Sequence, residues 1–254
     1  MSMKSRCWIL IFILVFLGLI SAIFFYTNWK EERKEKEEIL KVKRFQPRLL
    51  RQGPLLLKKE DFEHLSPWQK YVTPFDSEVR KLANETVNIE QAYVTAVEWL
   101  WVSDATLHGM TEKWIMPHEF LATTPYYPTN PVPGKIASDC EEQSYTLVSL
   151  LRAMGVSAKN VRVVVGKVNF DGEIGGHAWV EIYENGKWFS LEATSGPYWD
   201  DEETKLYERH GYPYNYFKKH TYPSIEIWGY FNDIYYYNPL TKEGNAPPSW
   251  MIPS

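Results

Sequence analysis

The strongest constraint on this chain is a pair of alternating runs, His177-Ala178-Trp179-Val180-Glu181-Ile182-Tyr183-Glu184 and Lys187-Trp188-Phe189-Ser190-Leu191-Glu192-Ala193-Thr194, separated only by Asn185-Gly186. Asn-Gly between such runs is the strongest short-range hairpin signal, because the favoured turn needs positive φ at both residues. A two-residue loop fixes the register: Glu184 faces Lys187, Ile182 faces Phe189, Val180 faces Leu191 and Ala178 faces Ala193. One face is then wholly apolar. The other carries His177, Trp179, Glu181 and Tyr183 against Thr194, Glu192, Ser190 and Trp188, and a slip of one residue would scramble the separation. In this register His177 and Glu192 are diagonal neighbours, roughly 7–8 Å apart at the backbone and within reach of a long carboxylate.

The apolar face needs a cover, and the run Ser138 to Gly155 supplies a helix. Ser138 followed three residues later by Glu141 reads as a capping box, with the Ser hydroxyl taking the Glu141 amide and the Glu141 carboxylate reaching back to the Ser138 amide. Gly155 suits the helix end, where positive φ is wanted. Leu147, Leu150, Leu151 and Met154 recur at three- and four-residue steps and predict one apolar face. Cys140 falls in the first turn, where free amides and the helix dipole favour a thiolate. Asp139, Glu141 and Glu142 act against that by raising its pKa. After Gly155, Val161 to Val168 reads as a β-branched strand, and Asp171 to Gly176 as a flexible loop. The resulting fold class is α+β, a helix packed on an antiparallel sheet.

Elsewhere the signals are weaker. Ser77 to Trp101 predicts one or two helices, with a break near Asn88. Pro117 to Ala137 is rich in Pro and reads as a semi-rigid loop. Trp99, Trp101 and Trp114 are expected to fill core. Beyond Thr194 the chain is aromatic, with short strands expected at Ile225–Trp228 and Ile234–Tyr237; these residues either pack on the core or line a cleft for an extended peptide or glycan. The scattered His64, His108, His118, His210 and His220 lack ligand spacing, so neither a metal nor a cofactor is expected. A formal net charge of −4 with no basic block in the folded part excludes nucleic acid as a partner. With 2 Cys, Cys7 and Cys140, a disulfide framework is excluded.

Cys7 to Tyr26 is uncharged and long enough to span a bilayer as a helix. It lacks the short core and small-residue cleavage site of a signal peptide, so an uncleaved single-pass anchor over 1–27 is expected. A charged helical stalk over 28–46 follows, with pairs such as Glu32 with Lys36, then a folded domain over 47–254. The Lys and Arg count would keep the domain cytoplasmic, whereas the short basic start favours export. The domain is placed on the outer face of the cell membrane.

Four segments together carry a family resemblance: Ser138-Asp139-Cys140, Arg152-Ala153-Met154-Gly155-Val156, His177-Ala178-Trp179-Val180-Glu181 and Trp188 through Thr194. Their order resembles the transglutaminase-like superfamily, closely over Gly134 to Thr194, and most of all its archaeal membrane-anchored members. The resemblance implies a papain/transglutaminase-like core with Cys140 as nucleophile, His177 as base and Glu192 as the orienting acid. It departs from the common pattern at two places, Ser138 for Gly and Glu192 for Asp. The implied chemistry is acyl transfer, or amide or peptide hydrolysis, through a thioester on Cys140, with a peptide, protein or cell-envelope substrate. The alternative is a non-catalytic membrane-tethered module that binds protein or envelope polymer. A second oxyanion donor beside the Cys140 amide is left between Gln143 and a Trp indole.

Overall fold

The computed structural model describes Lys30 and residues 64–252. The chain divides into two units, 1–59 and 60–254. The anchor at 7–26 lies outside the described residues, as does the charged stretch 28–44 apart from Lys30, which is helical and exposed. Every other described element belongs to the second unit. Among the described residues no helix is long and apolar enough to cross a membrane.

The helices are α1 (Ser77–Glu85), α2 (Ile89–Val97), α3 (Asp104–His108), α4 (Pro117–Ala122) and α5 (Cys140–Ala153). The long strands are β3 (Val161–Phe170), β4 (Glu173–Glu184), β5 (Lys187–Leu191) and β8 (Ser224–Phe231). With β9 (Tyr236–Asn238) and β10 (Glu243–Gly244) they form an antiparallel sheet of order β10-β9-β8-β3-β4-β5. A smaller sheet joins β1 (Leu100–Trp101), β2 (Ala137–Ser138), β6 (Tyr198–Asp200) and β7 (Lys205–Tyr207) in the order β2-β1-β6-β7. Asn88 caps α2 through its side chain, which accounts for the break between α1 and α2. The Pro-rich segment is not all loop. Pro117 opens α4, since the first turn of a helix has no use for the missing N–H.

The β4–β5 hairpin keeps the predicted register at Glu184↔Lys187, Ile182↔Phe189 and Val180↔Leu191, with Asn185 and Gly186 at φ 52° and 84°. The fourth pair does not form. Beyond Leu191 the chain leaves the sheet for a 3-10 turn at Ala193–Ser195. The expected loop at Asp171 to Gly176 is mostly strand: Asp171 and Gly172, at φ 52° and 100°, make a second tight turn, and Glu173 pairs with Phe170. Asp-Gly favours this turn for the same reason as Asn-Gly.

On the inner face Val161, Val163 and Val165 of β3, Ala178, Val180 and Ile182 of β4, and Phe189 and Leu191 of β5 pack with Leu147, Leu150 and Leu151 of α5. Each such side chain contributes about 1.5–3 kcal/mol when fully buried. The helix is not amphipathic in the expected sense. Every residue from Glu142 to Arg152 is buried, because α1, α2 and α4 surround it on the sides away from the sheet. Its polar residues bond inward instead, Ser149 to the Tyr145 carbonyl and Ser144 to the Ala178 carbonyl. Gly155, at φ 93°, ends it with paired bonds, Val156 N–H to the Leu151 carbonyl and Gly155 N–H to the Arg152 carbonyl.

The outer face is also covered. Val164, Val168, Trp179 and Trp188 form a second core with Tyr222, Tyr230, Tyr237 and Trp250 of the aromatic C-terminal quarter. That segment packs, with β8 as an interior strand beside β3.

Candidate active site

The site exists because β5 stops short. Its last paired residue, Leu191, lies opposite Val180, leaving Ala178 with no strand on that side. The N-terminal part of α5 fills the gap: Ser144 Oγ, one turn on from Cys140, donates to the Ala178 carbonyl at 2.9 Å. The helix thus satisfies the backbone carbonyl of the strand residue next to His177.

The helix begins differently from the expected capping box. Ser138 is held in β2, with its carbonyl accepting from Val102 N–H at 3.1 Å and Gln143 Nε2 at 3.1 Å. Cys140 is therefore the first helical residue, and Asp139 stands at the cap without capping through its side chain. The Ser138 hydroxyl donates to Glu142 Oε2 at 3.0 Å rather than taking the Glu141 amide. Glu142 is fully buried with no cation beside it among the described residues, and its carboxylate collects donors: Ile115 N–H at 2.9 Å, Ser138 Oγ and Tyr145 OH. A buried carboxylate needs these more than a helix end needs a Ser cap.

Burial pushes Cys140 well above an ordinary thiol, and the charge of Glu141 adds to it. The thiol donates to Glu141 Oε2 at 2.9 Å. Asp139 is pushed up to about 12, first by burial and then by Glu141 and Glu142, so it is a neutral acid that shares its proton with them. Asp139, Cys140 and Glu141 each present one donor atom within 4.8 Å of the others, a set whose mutual repulsion is relieved here by protons.

His177 and Glu192 form a direct pair, Nε2 to Oε2 at 2.9 Å, with the side chains 13% and 4% exposed. The contact is not the expected cross-strand diagonal: Glu192 lies past the end of β5 and opens the 3-10 turn. Its Oε1 accepts from Thr194 N at 3.0 Å and Thr194 Oγ1 at 2.6 Å. Its Oε2 accepts from His177 and from Tyr222 OH. Burial pulls His177 down, but the charge and hydrogen bond of Glu192 outweigh it, so the imidazole is more basic than usual. Burial pushes Glu192 up, and the His177 charge with the bonds from His177, Thr194 and Tyr222 outweighs that, so the acid is stronger than usual.

Two participants were not legible in sequence. Tyr222 arrives from 30 residues downstream of Glu192, and Thr194 acts through a turn the hairpin register did not foresee. Of the candidate oxyanion donors, Gln143 has its Nε2 on the Ser138 carbonyl, Trp99 is buried in the inner core, and half-buried Trp114 packs against that core with its Nε1 on Glu112.

The chain is similar to solved structures of low identity. Legionella pneumophila LapG in its calcium-bound form is 13% identical, with a TM-score of 0.40, covering 70% of this chain and 96% of that one. The EGTA-treated form gives 13% and 0.41, covering 70% and 94%. A proposed cysteine protease of Cytophaga hutchinsonii is 15% identical with a TM-score of 0.35, covering 56% of this chain and 45% of that one. A search of curated proteins found no match. The family model described as the Transglutaminase-like superfamily matches residues 122–193, the stretch that holds Cys140, His177 and Glu192.

Proposed function

We propose that the protein is a cysteine-dependent enzyme of acyl transfer, hydrolysing an amide or peptide bond or passing the acyl group to an amine through a thioester on Cys140. The observation that carries this is the His177–Glu192 pair at 2.9 Å, next to Ala178, whose carbonyl is bonded by Ser144 one turn on from Cys140. With Nε2 fixed on Glu192, His177 Nδ1 is the ring nitrogen left for the thiol. The thiol proton passes to Nδ1 as Sγ attacks the carbonyl carbon, and the imidazolium returns it to the leaving amine. Water or an amine then attacks the thioester with His177 again as base. Glu192 holds the ring and its charge throughout. The Cys140 amide, free at the first position of α5, is a donor for the oxyanion.

Burial, with the acids around Cys140, makes its resting form the thiol, so the nucleophile is generated during attack rather than stored as thiolate. The 7–26 segment would hold the domain at the membrane, on the outer face, near protein or envelope-polymer substrates. The test is iodoacetamide alkylation of Cys140 against pH. The expected result is a rate at neutral pH that falls about 100-fold in His177→Ala, the lower end of what a positioned general base contributes. Rates that match within error would overturn the enzyme and favour the non-catalytic tethered module, a reading supported by the thiol's bond to Glu141.

A further inference from the structure

The geometry points to Tyr222 as a positioning residue of this site, one that acts on His177 by fixing Glu192. This rests on the catalytic reading above but goes beyond the Cys140, His177 and Glu192 set. A glutamate has one more rotatable bond than an aspartate, so an acid of this length needs more restraint to present a fixed lone pair. The restraint is divided between its two oxygens. Thr194, two residues on, holds Oε1 with its amide and hydroxyl. Among the described residues, Oε2, the oxygen that meets His177, is held by no other side chain than Tyr222.

Tyr222 is built to do this. The residue is 7% exposed, with its ring stacked on Trp179 at 4.8 Å between centroids and met edge-on by Phe170 and Phe217 at 5.8 and 5.0 Å. Trp179 in turn stacks on the His177 ring at 6.2 Å, and Phe170 stands perpendicular to the same ring at 6.0 Å. One aromatic packet therefore fixes both the imidazole and the phenol that brackets its acid. Burial and the neighbouring Glu192 push the Tyr222 hydroxyl well above its ordinary pKa, so it stays a donor wherever the enzyme could work. Because Tyr222 sits just ahead of β8, the link also ties the aromatic C-terminal segment to the site.

A donor that only stabilised the Glu192 charge would stabilise it equally with His177 charged or neutral, leaving the deprotonation of His177 unmoved. A donor that positions Glu192 strengthens the ion pair, and its loss lets His177 titrate lower. The experiment is the 15N titration of His177 in the full-length protein, assigned by the signal missing from His177→Gln. In the native protein His177 should titrate above the ordinary value of about 6.5. In Tyr222→Phe, which keeps the ring and its stacking, it should fall by about one unit, the scale of a lost hydrogen bond to a charged group. In Glu192→Ala, adding Tyr222→Phe should change nothing further. An unmoved or raised His177 titration in Tyr222→Phe overturns the proposal, as does an added fall in the Glu192→Ala background, which would trace the effect to ring packing. The readout does not need a reactive thiol. Failure of Cys140 alkylation to respond to His177→Ala would therefore refute the enzymatic reading while leaving the Tyr222 result to stand or fall by itself.

Discussion

Strand β4 carries two buried acid–base pairs on one face, four residues apart, and they have opposite designs. Glu181 meets Arg162 of β3, with Nη2 and Nε at 2.6 and 2.8 Å from Oε2. Both side chains are sealed, at 0% and 1% exposure. The guanidinium lies 4.0 Å from the Trp188 ring and 3.7 Å from the Tyr230 ring, and its Nη1 donates to the Trp250 carbonyl at 2.7 Å. His177 and Glu192 share the strand face but not the seal: β5 has ended, and the imidazole is 13% exposed. The difference separates two uses of buried charge. A guanidinium keeps its proton at every working pH, and inside an aromatic cage it can only hold structure. An imidazole titrates near neutrality, and at an opening in the sheet it can exchange a proton with something that enters.

The sharpest break is at the sealed pair. Removing one partner leaves the other charge buried and uncompensated, which costs about 3–5 kcal/mol. Arg162→Ala should therefore lower unfolding free energy by that much in urea titration, and it should release the C-terminal turn at Pro248–Met251, whose Trp250 carbonyl loses its donor. The double variant Arg162→Met with Glu181→Leu should recover much of the loss, since a well-packed apolar replacement of a buried pair is often neutral. Equal destabilisation in the single and double variants would mean that the cage, not the charge, matters.

The two pairs also differ in how they show in sequence. The Asn185-Gly186 turn and the alternation around it carried the register from Glu184 to Val180, because side-chain period and turn type are both local. The reach of the acid to the imidazole was legible, but the path of its backbone was not, since leaving the sheet after Leu191 depends on α5 taking over the Ala178 carbonyl. The Ser138 cap failed for a related reason. A local pattern competed with β1, 37 residues earlier, for the Ser138 backbone, and with buried Glu142 for its hydroxyl. Arg162 and Tyr222 were invisible as site or cage residues because their partners come from distant segments, Trp250 and Glu192, that no spacing rule connects. Gly155 was legible because its role needs nothing beyond its own helix.

A smaller effect should separate the pairs by pH. The folded pKa of His177 is raised, so its contribution to stability is complete below the unfolded value of about 6.5 and is lost as pH rises through the folded value. The folded pKa of Glu192 is lowered, so its contribution is present above about 4.3 and is lost as pH falls through the folded value. The stability difference between the native protein and Glu192→Gln should therefore be largest between those limits and shrink on both sides. The difference for Glu181→Gln should not fall away at the alkaline side, because its partner keeps its charge. Parallel profiles for the two variants, measured by thermal unfolding across pH, would remove the distinction.

The finest test concerns the thiol that the open pair serves. After burial, the charge of Glu141 is the largest influence holding Cys140 above an ordinary thiol, and the same carboxylate accepts the S–H. Glu141→Gln removes the charge and keeps a side chain of the same length, so the thiol should become more acidic, by about one unit on the scale of a single nearby charge. Thiolate absorbance against pH reads this directly. The expected gain in alkylation at neutral pH is modest, because a more acidic thiol gives a less nucleophilic thiolate. The gain should still depend on His177, and the sealed Arg162 pair should leave it untouched. If Glu141→Gln leaves the titration in place, burial alone sets the thiol, and the acids at the start of α5 have no part in governing the nucleophile.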